Sequence, residues 1–344
     1  MLGQGLVTRR RALACLGLLL ALSSMARAAE PITLRLGAPA PEGTAWVSDC
    51  FEPFIKRVIA LTEGRARIKP YWGAVLGDER AMLGMLQQDR VDLWAGSAGA
   101  LAGLVPELDA LELPFLFTSD AEVDAVLRSP ARAQIKSLMA RAGLAPVIFT
   151  EVGWRSFAGN RPYRSPADLK GVAVRSQESP LHLEMWRLLE ARPTALPITE
   201  VMAAFENGAV TALDQSPVLL FATSWYQHTP FYTRSRHIYQ PAFAVVRLER
   251  LRKLPPWLLK SLVAAGEEVE AGCFQALRNQ AREIETHLVK EHIEVVELTG
   301  AEREAFRQRL RPEWESFRRR TTPAGRKLLR AIEVALEAYR APNR

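Results

Sequence analysis

The chain has 344 residues, 48% of them hydrophobic and 24% charged, a balance that excludes a disordered or fibrous protein. At roughly 150 residues per domain the length predicts two domains, each long enough to bury a core without disulfide or metal staples. The formal charge of +7 invites a polyanion partner until its distribution is considered, because Arg9, Arg10, Arg11 and Arg27 all lie in the first 28 residues.

Those residues read as a secretory signal peptide. Three arginines precede an apolar run from Ala12 to Leu22, and Ala26-Arg27-Ala28 supplies the small-x-small end, so cleavage is expected before Ala29. A run of 11 residues is too short to cross a bilayer, which needs ~20. The pair Arg9-Arg10 after Thr8 hints at twin-arginine export beside the general secretory route. Cys15 precedes most of the apolar run, which argues against a lipoprotein anchor. The mature chain carries a formal charge of only +3, so no nucleic-acid partner is implied. Cys50 and Cys273 remain. An oxidising compartment would let them pair, but their distance in sequence favours two isolated buried thiols.

Along the mature chain, Ile32 to Leu36 alternates apolar and polar residues as a half-buried strand does, and Arg65 to Tyr71 repeats the pattern after a helical stretch from about Ala45 to Leu61. An amphipathic helix with Met82, Leu83, Met85 and Leu86 then feeds a strand over Val91 to Ala95, and Gly96-Ser97-Ala98-Gly99 is a small-residue turn. Leu111 to Phe117 is an apolar run broken by Pro114, and Pro146 to Thr150 reads as the last strand of the first half. The second half holds a strand over Gly171 to Arg175, a helix from about Pro180 to Ala191, a connection from Pro193 to Pro197, and a helix from Thr199 to Asn207. Gly208 ends that helix and Val210 opens the next strand. Apolar residues recur at helical spacing through 257–290, predicting one helix roughly 50 Å long at ~1.5 Å per residue, enough to lie across both halves. The charged tail around Arg318-Arg319-Arg320 reads as a solvated helix face.

No nucleophile elbow, Ser/Lys signature or phosphate loop is present, and the five histidines include no pair three or four apart. No catalytic residue, metal or cofactor is therefore assigned. An exported α/β chain of this kind suits a clamshell that closes on a small molecule.

The segments Leu76-Gly-Asp-Glu-Arg80, Glu112-Leu-Pro-Phe-Leu-Phe117, Gly153-Trp-Arg155, Pro166-Ala-Asp-Leu-Lys-Gly171 through Val174-Arg175, and Pro193-Thr-Ala-Leu-Pro197 through Gly208 resemble the solute-binding proteins of tripartite ATP-independent periplasmic (TRAP) transporters, the DctP type. The resemblance runs from about Pro31 to beyond Leu254 and implies a two-lobed periplasmic-binding-protein fold. It places lobe 1 at 29–150 with about 240–270, lobe 2 at 151–239, the lobe-spanning helix at 257–290 and a helical segment at 291–344. It implies a periplasmic receptor that binds a small organic acid and passes it to integral membrane subunits driven by an ion gradient. A periplasmic enzyme acting on an acid and a receptor for a more apolar ligand are the alternatives.

The family's carboxylate-binding arginine, on the strand after the Asp-Leu-Lys-Gly turn, matches Arg175. Its second arginine matches Arg155, and an asparagine of the family falls at Gln215. The chain departs from the family in reading Thr211-Ala-Leu-Asp214-Gln215 where Asp-Gly-x-Glu-Asn is common, and in placing Trp154 where Phe is usual. Asp214, Trp154 and Ser97 complete the candidate ligand residues, with Asp214 expected to repel a second carboxylate unless it bonds to ligand hydroxyls. Independently of the resemblance, a guanidinium stays charged in a cleft and offers a planar fork of donors that matches a carboxylate. Trp46, Trp94, Trp154 and Trp225 are candidates for an apolar cleft wall, though aromatic residues at such positions are more often core.

Overall fold

The computed structural model describes residues 30–341; the expected signal peptide, with Cys15, lies outside the described residues. Nine strands form one sheet: β1 (Ile32–Gly37), β2 (Ala66–Tyr71), β3 (Leu93–Ser97), β4 (Leu144–Gly159), β5 (Ala173–Ser176), β6 (Arg192–Ala195), β7 (Ala212–Gln215), β8 (Phe231–Arg247) and β9 (Glu294–Glu297). Their order is β2-β1-β3-β8-β4-β7-β5-β6, with β9 added beside β8. The outer strands on each side are parallel, as helical crossovers require. The two long central strands, β4 and β8, run antiparallel to each other and carry both ends of the fold.

The result is an α/β fold with two lobes. Beside the first lobe's strands, Trp46–Phe51 forms a π-helical turn that continues as α1 (Glu52–Leu61), followed by α2 (Glu79–Gln87). Further along the chain come α3 (Pro180–Leu188), α4 (Val201–Glu206) and α5 (Pro217–Ala222), the last with Val218 in the cluster of Leu34 and Phe54 and Leu220 in that of Trp225. Each lobe buries a hydrophobic cluster on either face of the sheet, for example around Trp94 and Phe149 or around Leu34 and Phe54 in the first, and around Trp186 or Trp225 in the second. The layers follow from the strand pattern, since a parallel sheet covered on both faces needs apolar residues on both.

The helix α6 runs from Trp257 to Lys290, as its periodicity predicts. Leu258, Leu262 and Leu277 join the first lobe's core, whereas Leu288 joins the second lobe's, so one element contributes to both. Gly266 lets it approach β4 closely: a Cβ there would lie 1.6 Å from the Val147 carbonyl oxygen. The helices α7 (Gly300–Arg320) and α8 (Pro323–Arg340) complete the chain. No helix of the described residues is long and apolar enough to cross a membrane.

Several expectations are corrected. The strand expected to end at Thr150 continues to Gly159 through register shifts near Glu151 and Arg155; ladder pairing with β8 on one side and β7 on the other holds the polar stretch extended. The Pro193 to Pro197 connection contains β6, paired in parallel with β5, and 291–344 contains β9 ahead of its helices. The charged tail is, as expected, an exposed helix face: Arg318, Arg319 and Arg320 are all exposed, with Arg318 paired to Glu333 and Arg320 to Glu313 and Asp109.

Cys50 and Cys273 are not isolated thiols. They form a disulfide across 223 residues, with Cα atoms 4.7 Å apart, joining the π-helical turn to the middle of α6. Sequence distance argued against the pair because only the folded helix brings them together. Replacing both by serine is expected to destabilise the protein by ~2–5 kcal/mol, since it frees a long loop in the unfolded chain. Urea denaturation of the oxidised wild type and the double variant checks this; equal midpoints would contradict it.

Candidate functional site

Between the lobes lies a cavity of about 890 Å³ including its open mouth, reached by residues from both sides of the sheet. Three polar positions come from the C-terminal ends of strands: Ser97 ends β3, Gln215 ends β7, and Arg175 is the penultimate residue of β5. Crevices beyond such strand ends are where α/β sheets bind ligands. Arg155, on β4, lies beside β7 in the sheet order, and β5 follows β7. Both arginines and Gln215 thus converge because three neighbouring strands carry them.

The two arginines have opposite surroundings. Arg155 is fully buried. Its Nε donates to Asp214 Oδ2 at 2.6 Å and its Nη2 to the Asp214 carbonyl at 2.6 Å, while Nη1 donates to Gln240 Oε1 at 2.9 Å and Gln215 Oε1 at 3.2 Å. Its charge is matched by Asp214, which also has His237 Nε2 3.4 Å away. Burial alone would raise the Asp214 pKa, but the Arg155 guanidinium and His237 outweigh it and hold the carboxyl well below its usual range. Burial, against the pull of Asp214, lowers the His237 pKa.

Arg175 is only 5% exposed, yet no carboxylate among the described residues lies within ion-pair distance of it. Its Nε and Nη2 both donate to the Leu196 carbonyl, at 3.0 and 2.8 Å, and its Cζ sits 5.7 Å from the centre of the Trp225 ring. Burial, reinforced by the nearby positive Arg155, lowers its pKa to about 10, which leaves it charged at neutral pH. A buried cation held by one carbonyl and an aromatic ring retains the capacity to pair with an anion.

Opposite stands Glu79, in the first turn of α2. Its Oε1 accepts from the Ser97 N–H at 2.5 Å and its Oε2 from the Ser97 hydroxyl at 3.0 Å. Gly96 makes room for it, since a Cβ there would come within 2.7 Å of Glu79 Oε1. Burial pushes the Glu79 pKa up, against the hydrogen bonds from Ser97.

The lobes meet across the cleft. Gln177 Nε2 donates to Ser97 Oγ at 3.0 Å, and at the mouth Arg80 pairs with Glu178 at 3.7 Å and also donates to its carbonyl.

Of the six residues expected from sequence, Arg175, Arg155, Gln215 and Ser97 line this cavity. Asp214 lies behind it, committed to Arg155. Trp154 lines a separate hollow behind the central strands, where its ring packs edge-on against Tyr239 and its Nε1–H donates to Asp120 at 2.7 Å. Trp46 and Trp225 line the cavity, while Trp94 is core. Sequence reading missed Glu79, Gln177 and Gln240. Only Glu79 had a signal, within the Leu-Gly-Asp-Glu-Arg segment.

Asp214→Asn is expected to cost ~3–5 kcal/mol, because it leaves the Arg155 charge buried and unmatched. Since the native Asp214 pKa is depressed, its contribution is fully present above the ordinary value of 3.8 and is lost as pH falls through the native value. The stability gap between wild type and variant, followed by urea denaturation, should therefore be wide at neutral pH and shrink in strong acid.

Residues 36–320 match the family described as DctP, bacterial extracellular solute-binding protein, family 7. The 2,3-diketo-L-gulonate-binding periplasmic protein YiaO of Escherichia coli (strain K12) is 26% identical over 275 residues, 79% of this chain and 83% of that protein. The sugar acid binding protein DctPAm from Advenella mimigardefordensis strain DPN7T, solved with galactonate, superposes with a TM-score of 0.83 at 22% identity, covering 89% of this chain and 99% of the other. A TRAP periplasmic solute binding protein from Roseobacter denitrificans, with bound beta-D-glucuronate, gives 0.82 at 21% identity, covering 87% and 98%.

Proposed function

This chain belongs to the DctP family of bacterial extracellular solute-binding proteins, and from that premise we propose that it captures a small organic acid by its carboxylate on Arg175 and delivers it to the integral membrane subunits of a TRAP transporter. Its family and its structural neighbours are receptors, not enzymes. The observation that carries the proposal is the Arg175 guanidinium, buried at the wall of the cleft with no carboxylate among the described residues in ion-pair contact with it. The named ligands of the E. coli relative and of the two structural neighbours are all acids, which supports an anion at this position.

In this reading Arg175 is the anchor. A planar guanidinium fixed by the Leu196 carbonyl keeps Nη1 for the ligand, with an orientation that a lysine would not reproduce. Arg155 shapes the wall and holds Gln215 through Gln215 Oε1, leaving the Gln215 Nε2 as a second donor. The contacts from Gln177 to Ser97 and from Arg80 to Glu178 join the lobes, so an acid bridging both sides stabilises the closed form by contacts that an open form lacks. The membrane subunits then distinguish closed from open. Residues 1–28 direct export to the periplasm, where such a receptor works.

Native mass spectrometry of freshly purified protein should show a retained acid of unaltered mass. Arg175→Ala is expected to weaken binding of that acid by ~3–5 kcal/mol, two to four orders of magnitude in Kd, when measured by calorimetry. Unchanged affinity would overturn the assignment.

A further inference from the structure

We propose that the acid is a monocarboxylate with an apolar body, aromatic or branched aliphatic, and not a polyhydroxylated sugar acid or a dicarboxylate. The inference deepens the proposed function and rests on its reading of Arg175 as the carboxylate anchor.

The argument is an inventory of the polar groups that the cavity has left to offer. Ser97 Oγ donates to Glu79 and accepts from Gln177 Nε2 and from the Ala100 N–H. Gln240 Oε1 accepts from Arg155, and Gln240 Nε2 donates to Gln177 Oε1 and Glu112. Gln177 is thereby engaged at both ends. Gln215 Oε1 accepts from Arg155 and from the Ser216 N–H. The Trp46 indole N–H donates to the Glu151 carbonyl, and Arg80 and Glu178 hold one another. What remains among these groups is Arg175 Nη1, Gln215 Nε2, the second N–H of Gln177 Nε2 and the spare lone pairs of Glu79.

That set takes one carboxylate, on Arg175 and the amide donors, and one donor on the ligand's body. A hexonate carries five hydroxyls, each both donor and acceptor, and a hydroxyl sealed from water without a partner is penalised. Beyond that set the lining side chains offer acceptors at Asp78, Thr150 and Glu178 but no further unengaged donor for the hydroxyl oxygens, and Trp46, Phe51, Val152, Ile198, Leu219 and Trp225 face the same space. Burying an apolar body against such a surface is favourable. The apolar wall also begins at the anchor, where Trp225 lies beside the guanidinium and Ile198 follows the Leu196 carbonyl by two residues.

A second carboxylate is disfavoured by charge. Arg175 is the one lining cation, among the described residues, without a matched carboxylate or a closed set of acceptors, and Asp78, Glu79 and Glu178 line the remainder. Glu79 instead suits a neutral donor such as an indole N–H or a hydroxyl.

The test is calorimetry of the dialysed wild-type protein with indole-3-acetate, phenylacetate and 4-methylpentanoate against D-galactonate, D-glucuronate and succinate. At least one of the first three should bind about tenfold or more tightly than each of the last three, and Leu219→Gln should weaken that acid while narrowing the difference. Tightest binding of a sugar acid or of succinate would overturn this inference and leave the acid receptor standing. No heat with any of the six, together with no response to Arg175→Ala, would overturn both.

Discussion

A guanidinium that is buried but not neutralised sets the terms for the rest of this structure. Arg155 and Arg175 border the same cavity and are similarly hidden from solvent, yet only Arg155 has a carboxylate. An unmatched charge in such a place is costly, and under the proposed function the carboxylate of the acid is the missing partner. The Leu196 carbonyl offsets part of that cost, while also using two of the three nitrogens, so that the third alone is left to meet a ligand. The pair therefore separates two tasks: one arginine holds strands together, and the other is, in the proposed function, the anchor for the acid.

Placing that side chain requires the sheet to be continuous between the lobes. The central strands β4 and β8 pass through both, and α6 packs along β4 at Gly266 before reaching the second core at Leu288. The disulfide adds a tie beside the cleft. It fixes the π-helical turn that presents Trp46 and Phe51 to the cleft, and Cys273 Sγ lies 3.1 Å from the hydroxyl of Thr150, another lining residue. A π-helical turn at a functional wall is a common arrangement, because the wider turn re-aims side chains. The apolar side of the cavity is thus held by the covalent link, and the polar side by strand pairing.

How much of this was legible varies with the kind of constraint. Alternation and helical spacing are local, so β1, β2 and α6 could be read directly. The strand β8 could not, since Ile238 to Val246 is buried almost throughout and lacks the alternation that marks a half-exposed strand. The two arginines were legible through the motif that carries them, yet their different roles depend on Asp214 and Leu196, which sequence does not place. Trp154 shows the limit: it is adjacent to Arg155, but successive residues of a strand point to opposite faces, so the neighbour of a lining residue faces away from the cleft. Gln177 and Gln240 have no signal in sequence, because an amide becomes part of a site only through its partners.

The departure at Asp214-Gln215 from the family's common Glu-Asn has a physical reading in the same terms. The acid is one methylene shorter and the amide one longer, so the changes compensate. The shorter acid stays behind the wall, where Arg155 binds both its carboxylate and its own carbonyl. The longer amide folds its oxygen back onto Arg155 and the Ser216 N–H, turning what would be an acceptor for ligand into internal bracing. The amides that line the cleft are in this way engaged largely with other protein groups, and under the inference drawn above, recognition beyond the carboxylate rests on shape and apolar contact, which discriminate by fit and not by hydrogen-bond count.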